Sequence, residues 1–173
     1  MRLFLAIDIP EEIKEEISKF QGQLKMKGIK LVEKENLHIT VKFLGEVDEE
    51  TLKEILNLDL SIQPVKIKLK TLGTFPNSNY IRVIWIGVYN ENLIEIFKEV
   101  DKKLSNLGFK REKEYVPHLT IGRVKFIDNK KKLKDRIEKY KDVDFGEFEA
   151  KHIKLYKSTL TPNGPIYEVI KEW

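Results

Sequence analysis

The sequence carries one short pattern twice, His38-Ile39-Thr40-Val41 and His118-Leu119-Thr120-Ile121, with 80 residues between the copies. Sliding the chain against itself by that offset aligns far more than these residues. Leu3-Phe4-Leu5-Ala6 falls on Val83-Ile84-Trp85-Ile86, and Ile13, Ile17, Phe20 and Leu24 fall on Leu93, Phe97, Val100 and Leu104. Gly28-Ile29-Lys30 likewise falls on Gly108-Phe109-Lys110. A sustained repeat of this kind restricts the chain to two copies of one structural unit that bury their apolar faces together. Farther on, the offset becomes 86, pairing Ile67-Lys68-Leu69 with Ile153-Lys154-Leu155 and Pro76 with Pro162, so the second copy is the longer one.

Each copy reads as strand, helix, motif strand, short helix and strand. Residues 2–9 and 80–89 are apolar, β-branched or aromatic runs of strand length. The apolar residues at 13, 17, 20, 24 and at 93, 97, 100, 104, 107 step by three and four, as on one face of an amphipathic helix. Pro10 with Glu11 and Glu12 suits a helix start, and Asn90 or Asn92 can cap the second helix. Gly28 and Gly108 fall where the helical period ends, the usual place for a left-handed C-cap. Shorter helices are expected after Asp48 (Leu52, Ile55, Leu56) and after Asp128 (Leu133, Ile137, Tyr140). Turn-rich loops at 73–79 and 161–165 lead into strands at 80–89 and 166–172. The expected fold class is α+β. It is a single bilobal domain over residues 1–173, with repeat halves of roughly 1–79 and 80–173. Two largely antiparallel sheets carry helices on their outer faces and enclose a central groove about a pseudo-two-fold.

Composition limits the chemistry. With 173 residues and 41% apolar content the chain can bury a core. No run of 18 apolar residues exists, and the opening MRLFLAIDIPEEIKEE turns acidic without a small-residue cleavage site, so a cytoplasmic protein independent of membranes is expected. The absence of cysteine removes disulfides, thiolate nucleophiles and cysteine zinc sites, leaving His, Ser/Thr, Lys and carboxylates for acid–base work. A net charge of +4 and a pI near 9.0 suit an anionic substrate but fall short of a duplex-binding surface.

In a strand, side chains alternate, so each motif sends its His and Thr to one face and its two apolar residues to the other. Two such strands related by a pseudo-two-fold place two imidazoles and two hydroxyls on opposite walls of one cavity. One neutral and one protonated histidine can together run a displacement, the first activating water and the second protonating the leaving oxygen. Threonine hydroxyls can donate to the non-bridging oxygens. Phosphorus is the natural centre, because in-line displacement requires acid and base on opposite sides. The competing reading, partly buried histidines bonded to backbone beside β-favouring threonines, loses weight when both sit at repeat-matched positions. Zinc is disfavoured because two histidines leave it short of ligands. His152, in an unlike context with Lys154 two places on, reads as structural or exposed.

At these motifs the sequence resembles the two-histidine phosphoesterase superfamily, which has two H-x-[ST]-hydrophobic motifs in a duplicated fold. More narrowly it resembles the RNA 2′,3′-cyclic phosphodiesterases, also called 2′-5′ RNA ligases. The likeness runs through RLFLAIDIP, LHITVKFLGEV, VPHLTIGRVK and LYKSTLTPNGPIYEVI. It implies hydrolysis of a 2′,3′-cyclic phosphate at an RNA end to a 2′-phosphomonoester. In that reaction His38 is the proton donor, His118 the proton acceptor, and Thr40 and Thr120 hold the phosphoryl oxygens. It further implies no metal or nucleotide cofactor, RNA termini such as those of tRNA fragments as partners, a monomer, and ligation as the reverse type of chemistry.

Arg123 lies three residues past Thr120, which points it away from the motif face of an ideal strand, although Gly122 permits a bulge that would turn it toward phosphate. Tyr115, Phe43 and Tyr156 can each stack a terminal base, but core packing is the commoner use of such residues. Two other functions stay open: a non-catalytic RNA- or nucleotide-phosphate-binding module, and a phosphodiesterase for small cyclic nucleotides or ADP-ribose cyclic phosphate.

Overall fold

Two β-sheets meet across a groove, and the repeat halves exchange strands to build them. The computed structural model describes all 173 residues. In chain order the elements are β1 (Arg2–Asp8), α1 (Glu11–Gln21), β2 (Ile29–Leu31), β3 (His38–Glu46), α2 (Glu49–Leu56), β4 (Val65–Pro76) and β5 (Ile81–Tyr89). They continue with α3 (Leu93–Ser105), β6 (His118–Val124), α4 (Lys130–Lys139), β7 (Asp144–Ala150), β8 (Lys154–Thr161) and β9 (Gly164–Glu172). One sheet has the order β3-β1-β8-β9, the other β2-β6-β5-β4-β7. Every pairing is antiparallel.

Strand β4 follows the first motif in sequence yet pairs with β5 and β7, while β8 returns from the second copy to pair with β1. Each sheet therefore mixes both halves of the chain. The inward residues of the exchanged strands, Ile67 and Leu69 on β4 and Leu155 on β8, are fully buried in one continuous apolar core. No helix is long and apolar enough to cross a membrane.

The expected α+β architecture is present, with four local departures. First, Asp8 faces His38 and Ala6 faces Thr40, whereas Gly87 faces His118 and Trp85 faces Thr120. Relative to the motifs, β1 and β5 thus correspond with an offset of 79 rather than 80 (87 minus 8, 85 minus 6). Both strands are near-continuous apolar runs, which carry no alternation to fix a register.

Second, α1 ends at Gln21 and tightens into a 3₁₀ turn through Leu24, so Gly28 is not its cap. Gly28 does adopt φ 91°, and a Cβ there would stand 2.1 Å from the Phe126 carbonyl oxygen. Gly108 (φ 97°) does close its helix, its N–H donating to Ser105 O at 3.1 Å. Third, Asp48 caps α2, accepting from Thr51 N–H at 2.7 Å, but α4 is capped by Asn129 rather than Asp128, accepting from Lys132 N–H at 3.0 Å. Fourth, the longer second copy forms an additional edge strand, β7. Its sequence DFGEFEA, broken by Gly146 and rich in acids, hides strand character.

Candidate active site

The motif strands β3 and β6 approach each other where the two sheets meet, and their polar faces line one cavity of about 280 Å³. His38, Thr40, His118 and Thr120 all line it, as do Phe43, Phe75, Val83, Pro165 and Tyr167. The apolar motif residues turn the other way, as alternation requires: Ile39, Leu119 and Ile121 point into the core and are fully buried.

Arg123 reaches the same cavity, by way of a bulge. Trp85 pairs with Thr120 while Ile84 pairs with Gly122, leaving Ile121 as an extra residue in β6. That slip reverses the alternation, so residues 118, 120 and 123 share a face. The first copy repeats the device: Ala6 pairs with Thr40 and Leu5 with Lys42, leaving Val41 extra and swinging Phe43 into the cavity. Phe43 and Arg123 are thus equivalent positions, one apolar and one cationic, and Phe43 is 65% exposed. Of the other aromatics weighed as base platforms, Tyr115 donates its hydroxyl to Asp101 and Tyr156 donates to Asp8, and neither lines this cavity. His152 lies outside the site, its Nδ1 donating to Trp173 O at 2.7 Å.

Each histidine is oriented by the main chain just before it. His38 Nδ1 lies 2.6 Å from Asn36 O and His118 Nδ1 lies 2.8 Å from Val116 O. A carbonyl oxygen only accepts, so Nδ1 carries the proton in both rings, and in the neutral form the Nε2 lone pair is left for chemistry. Thr40 Oγ1 sits 2.8 Å from His38 Nε2. The rings are wedged by aromatics: Phe4 at 4.9 Å and Tyr167 at 5.3 Å against His38, Phe75 edge-on at 4.9 Å against His118.

The four buried polar residues of the chain, Gln21, Asn36, Lys42 and Asp101, all secure this framework. Gln21 and Asp101 are repeat equivalents on α1 and α3, and each braces the motif strand of the opposite copy. Gln21 Nε2 donates to Ile121 O at 2.8 Å, the carbonyl of the bulge in β6, and to Val32 O at 3.0 Å. Asp101 takes the Lys42 ammonium of β3 at 2.6 Å, with both side chains 3% exposed. Its other oxygen accepts from Glu112 N–H at 2.9 Å and from the Tyr115 hydroxyl, which ties down the segment leading to His118. Asn36 Nδ2 donates to Pro165 O at 3.0 Å, fastening the β8–β9 turn beside His38.

Burial lowers the pKa of both histidines below the ordinary value, more than the carbonyl hydrogen bonds raise it, and the Arg123 guanidinium lowers both further. Their environments then diverge. The Asp8 carboxylate, opposite His38 across the β1–β3 ladder, pulls that imidazole back toward protonation, and nothing comparable faces His118. Burial pushes the Asp8 carboxyl up, but hydrogen bonds from Lys154 and Tyr156, both at 2.5 Å, outweigh it and keep Asp8 ionised. Asp8, Phe75 and Tyr167 were not legible as site residues, because only the register and the strand exchange bring them to the histidines.

Two symmetry-related His-Thr strands on one cavity, with a cation beside them, define a phosphoesterase of the two-histidine type. The chain belongs to the LigT like phosphoesterase family, which it matches twice, over residues 7–85 and 86–167. It is 91% identical over 173 residues, the whole of both chains, to a Methanocaldococcus jannaschii protein named RNA 2′,3′-cyclic phosphodiesterase. An Archaeoglobus fulgidus protein of the same name is 43% identical over 175 residues, covering 99% of this chain and 98% of its own. Among solved structures, one from Thermus thermophilus superposes with a TM-score of 0.85 at 28% identity, covering 100% of this chain and 97% of the other. E. coli LigT complexed with 3′-AMP superposes at 0.80 with 25% identity, covering 99% and 96%.

Proposed function

We propose that this protein hydrolyses 2′,3′-cyclic phosphate at RNA ends to the 2′-phosphomonoester, with His38 as general acid and His118 as general base. The observation that carries this reading is the matched tethering of both Nδ1 atoms, which leaves two Nε2 atoms for one cavity in a chain 91% identical to a named RNA 2′,3′-cyclic phosphodiesterase. Neutral His118 takes a proton from water as the oxygen attacks phosphorus. The bond from phosphorus to the 3′ oxygen breaks, and that oxygen takes the proton from His38 Nε2. The pair ends with its protons exchanged and resets through solvent.

The role assignment rests on charge. Burial lowers the pKa of both imidazoles, and a phosphodiester anion in the cavity would favour a proton on one of them. The Asp8 carboxylate favours the protonated form of His38, and no carboxylate acts on His118 in that way. Thr40, Thr120 and Arg123 line the same cavity, and in this reading they hold the phosphoryl oxygens, where donors stabilise the charge gathering there. Ligation follows if the 5′-hydroxyl of a second RNA replaces water as the nucleophile, forming a 2′–5′ diester as the bond to the 3′ oxygen breaks. In this reading the acting species is a monomer and the substrates are RNA termini, tRNA fragments among them.

The test is incubation of an RNA oligomer ending in 2′,3′-cyclic phosphate, with identification of the phosphomonoester formed. A 2′-phosphate product, at a rate unchanged by EDTA, is expected. A 3′-phosphate product overturns the leaving-group assignment, and tight binding of phosphorylated ends without turnover makes the protein a binding module instead.

A further inference from the structure

The catalytic cavity occupies only one end of the inner face of the second sheet. Along β5, Val83, Trp85, Gly87 and Tyr89 share a face, and Val83 lines the catalytic cavity while the other three line a larger groove of about 970 Å³ beside it. The two adjoin at His118. Val116 and Pro117, which line the groove, run directly into that residue, and Trp85 is paired with Thr120. Gly73 on β4 leaves room for the Trp85 indole to lie against the sheet, since a Cβ there would stand 2.2 Å from the ring.

The far wall of the groove is a row of lysines. Lys66, Lys68 and Lys70 alternate with the buried Val65, Ile67 and Leu69 on β4, so all three side chains leave the strand on the groove side from Cα atoms roughly 7 Å apart. None is consumed by an ion pair. Glu149, in register with Lys66, pairs with Lys151 instead, and Lys70 Nζ sits 5.5 Å over the Tyr89 ring. Tyr89 is 43% exposed, with its hydroxyl 2.8 Å from Thr71 Oγ1. Two carboxylates, Glu91 and Glu147, also line the groove, so the charge there stays positive and moderate. A row of cations beside an exposed aromatic ring, Tyr89, forms the kind of surface that follows a single-stranded sugar-phosphate backbone and stacks a base. Ile94 and Val116 are also exposed in the groove, but the row of lysines favours a polyanion over a folded protein partner, and a duplex would find too little charge.

We infer that this groove holds the nucleotides on the 5′ side of the cyclic phosphate, so that the enzyme selects oligomeric RNA over a cyclic mononucleotide. Lys66, Lys68 and Lys70 contact successive phosphates, and Tyr89 stacks a base. The inference rests on the proposed phosphodiesterase reaction but concerns a separate surface, since a cyclic mononucleotide fills only the catalytic cavity.

The experiment compares a short RNA ending in 2′,3′-cyclic phosphate with adenosine 2′,3′-cyclic phosphate, for the wild-type protein, for K66A/K68A/K70A and for Y89L. For the triple variant, KM on the oligomer rises about tenfold, and the slope of log KM against log salt flattens by about 2, at roughly 0.7 per lost phosphate contact. Y89L raises the oligomer KM severalfold without changing the salt slope. Both variants keep wild-type kcat and KM on the mononucleotide. Equal effects on the two substrates, or none on the oligomer, overturn the groove assignment. Failure of the wild-type protein to hydrolyse either substrate overturns the phosphodiesterase reading itself.

Discussion

His38 and His118 are held alike and surrounded differently. Both donate Nδ1–H to a carbonyl two residues upstream, follow the same bulged strand and stand beside a threonine. Around His38 lie Asp8, Phe4, Tyr167 and a threonine hydroxyl already in contact with Nε2. Around His118 lie Gly87, Phe75 and Trp85, with Arg123 rather than Phe43 at the bulge. Duplication supplied two equivalent acid–base positions, and divergence of their neighbours gave each a separate task. Asp8 stands opposite one ring and Gly87 opposite the other, so the carboxylate is a difference of residue at matched ladder positions.

The comparison is broken most severely by removing either ring. H38A and H118A should each lower kcat by about 10²–10⁴-fold in single-turnover assays while the thermal melt stays near wild type. The two braces come next. D101A removes the buried partner of the Lys42 ammonium, leaving it the Lys110 carbonyl and the half-exposed Glu112 carboxylate, and should cost about 3–5 kcal/mol in denaturant unfolding. Q21A at the equivalent position frees only neutral carbonyls and should cost about 1–3 kcal/mol. Equal costs would mean that the braces do not differ as their chemistry says.

The threonines sharpen the contrast further. Thr40 touches His38 Nε2 as well as the cavity, so T40V should lower kcat/KM by roughly 10²-fold and T120V by about tenfold. The smallest effect is a shift rather than a loss. The alkaline limb of the kcat/KM profile reports the group that must stay protonated, here His38. Asp8 raises the pKa of His38, so D8N lowers it and moves the alkaline limb to lower pH while the acid limb stays in place. Movement of the acid limb instead would reverse the roles of the two histidines.

Much of this was legible in the sequence because the repeat preserved it. The offset of 80 located both motifs, and period-two alternation placed His with Thr and against the core. Gly122 marked a bulge capable of turning Arg123. What escaped depends on pairing across the molecule. The exchange of β4 and β8, the register that gives His38 its carboxylate, and the approach of Phe75 and Tyr167 all join residues far apart in sequence. The Lys42–Asp101 and Gln21–Ile121 contacts also look like ordinary surface chemistry until burial is known. The buried polar residue at matched positions 21 and 101 was a usable signal, since polar groups on the apolar face of a repeated helix need partners.

The division of labour between the two histidines is tested most directly with an RNA 2′,3′-cyclic phosphate whose 3′ bridging oxygen is replaced by sulfur. A thiolate departs without protonation, so the substitution should restore most of the lost rate to H38A and leave H118A as impaired as before. Rescue of H118A, or equal rescue of both variants, would contradict the assignment of His38 as the acid and His118 as the base.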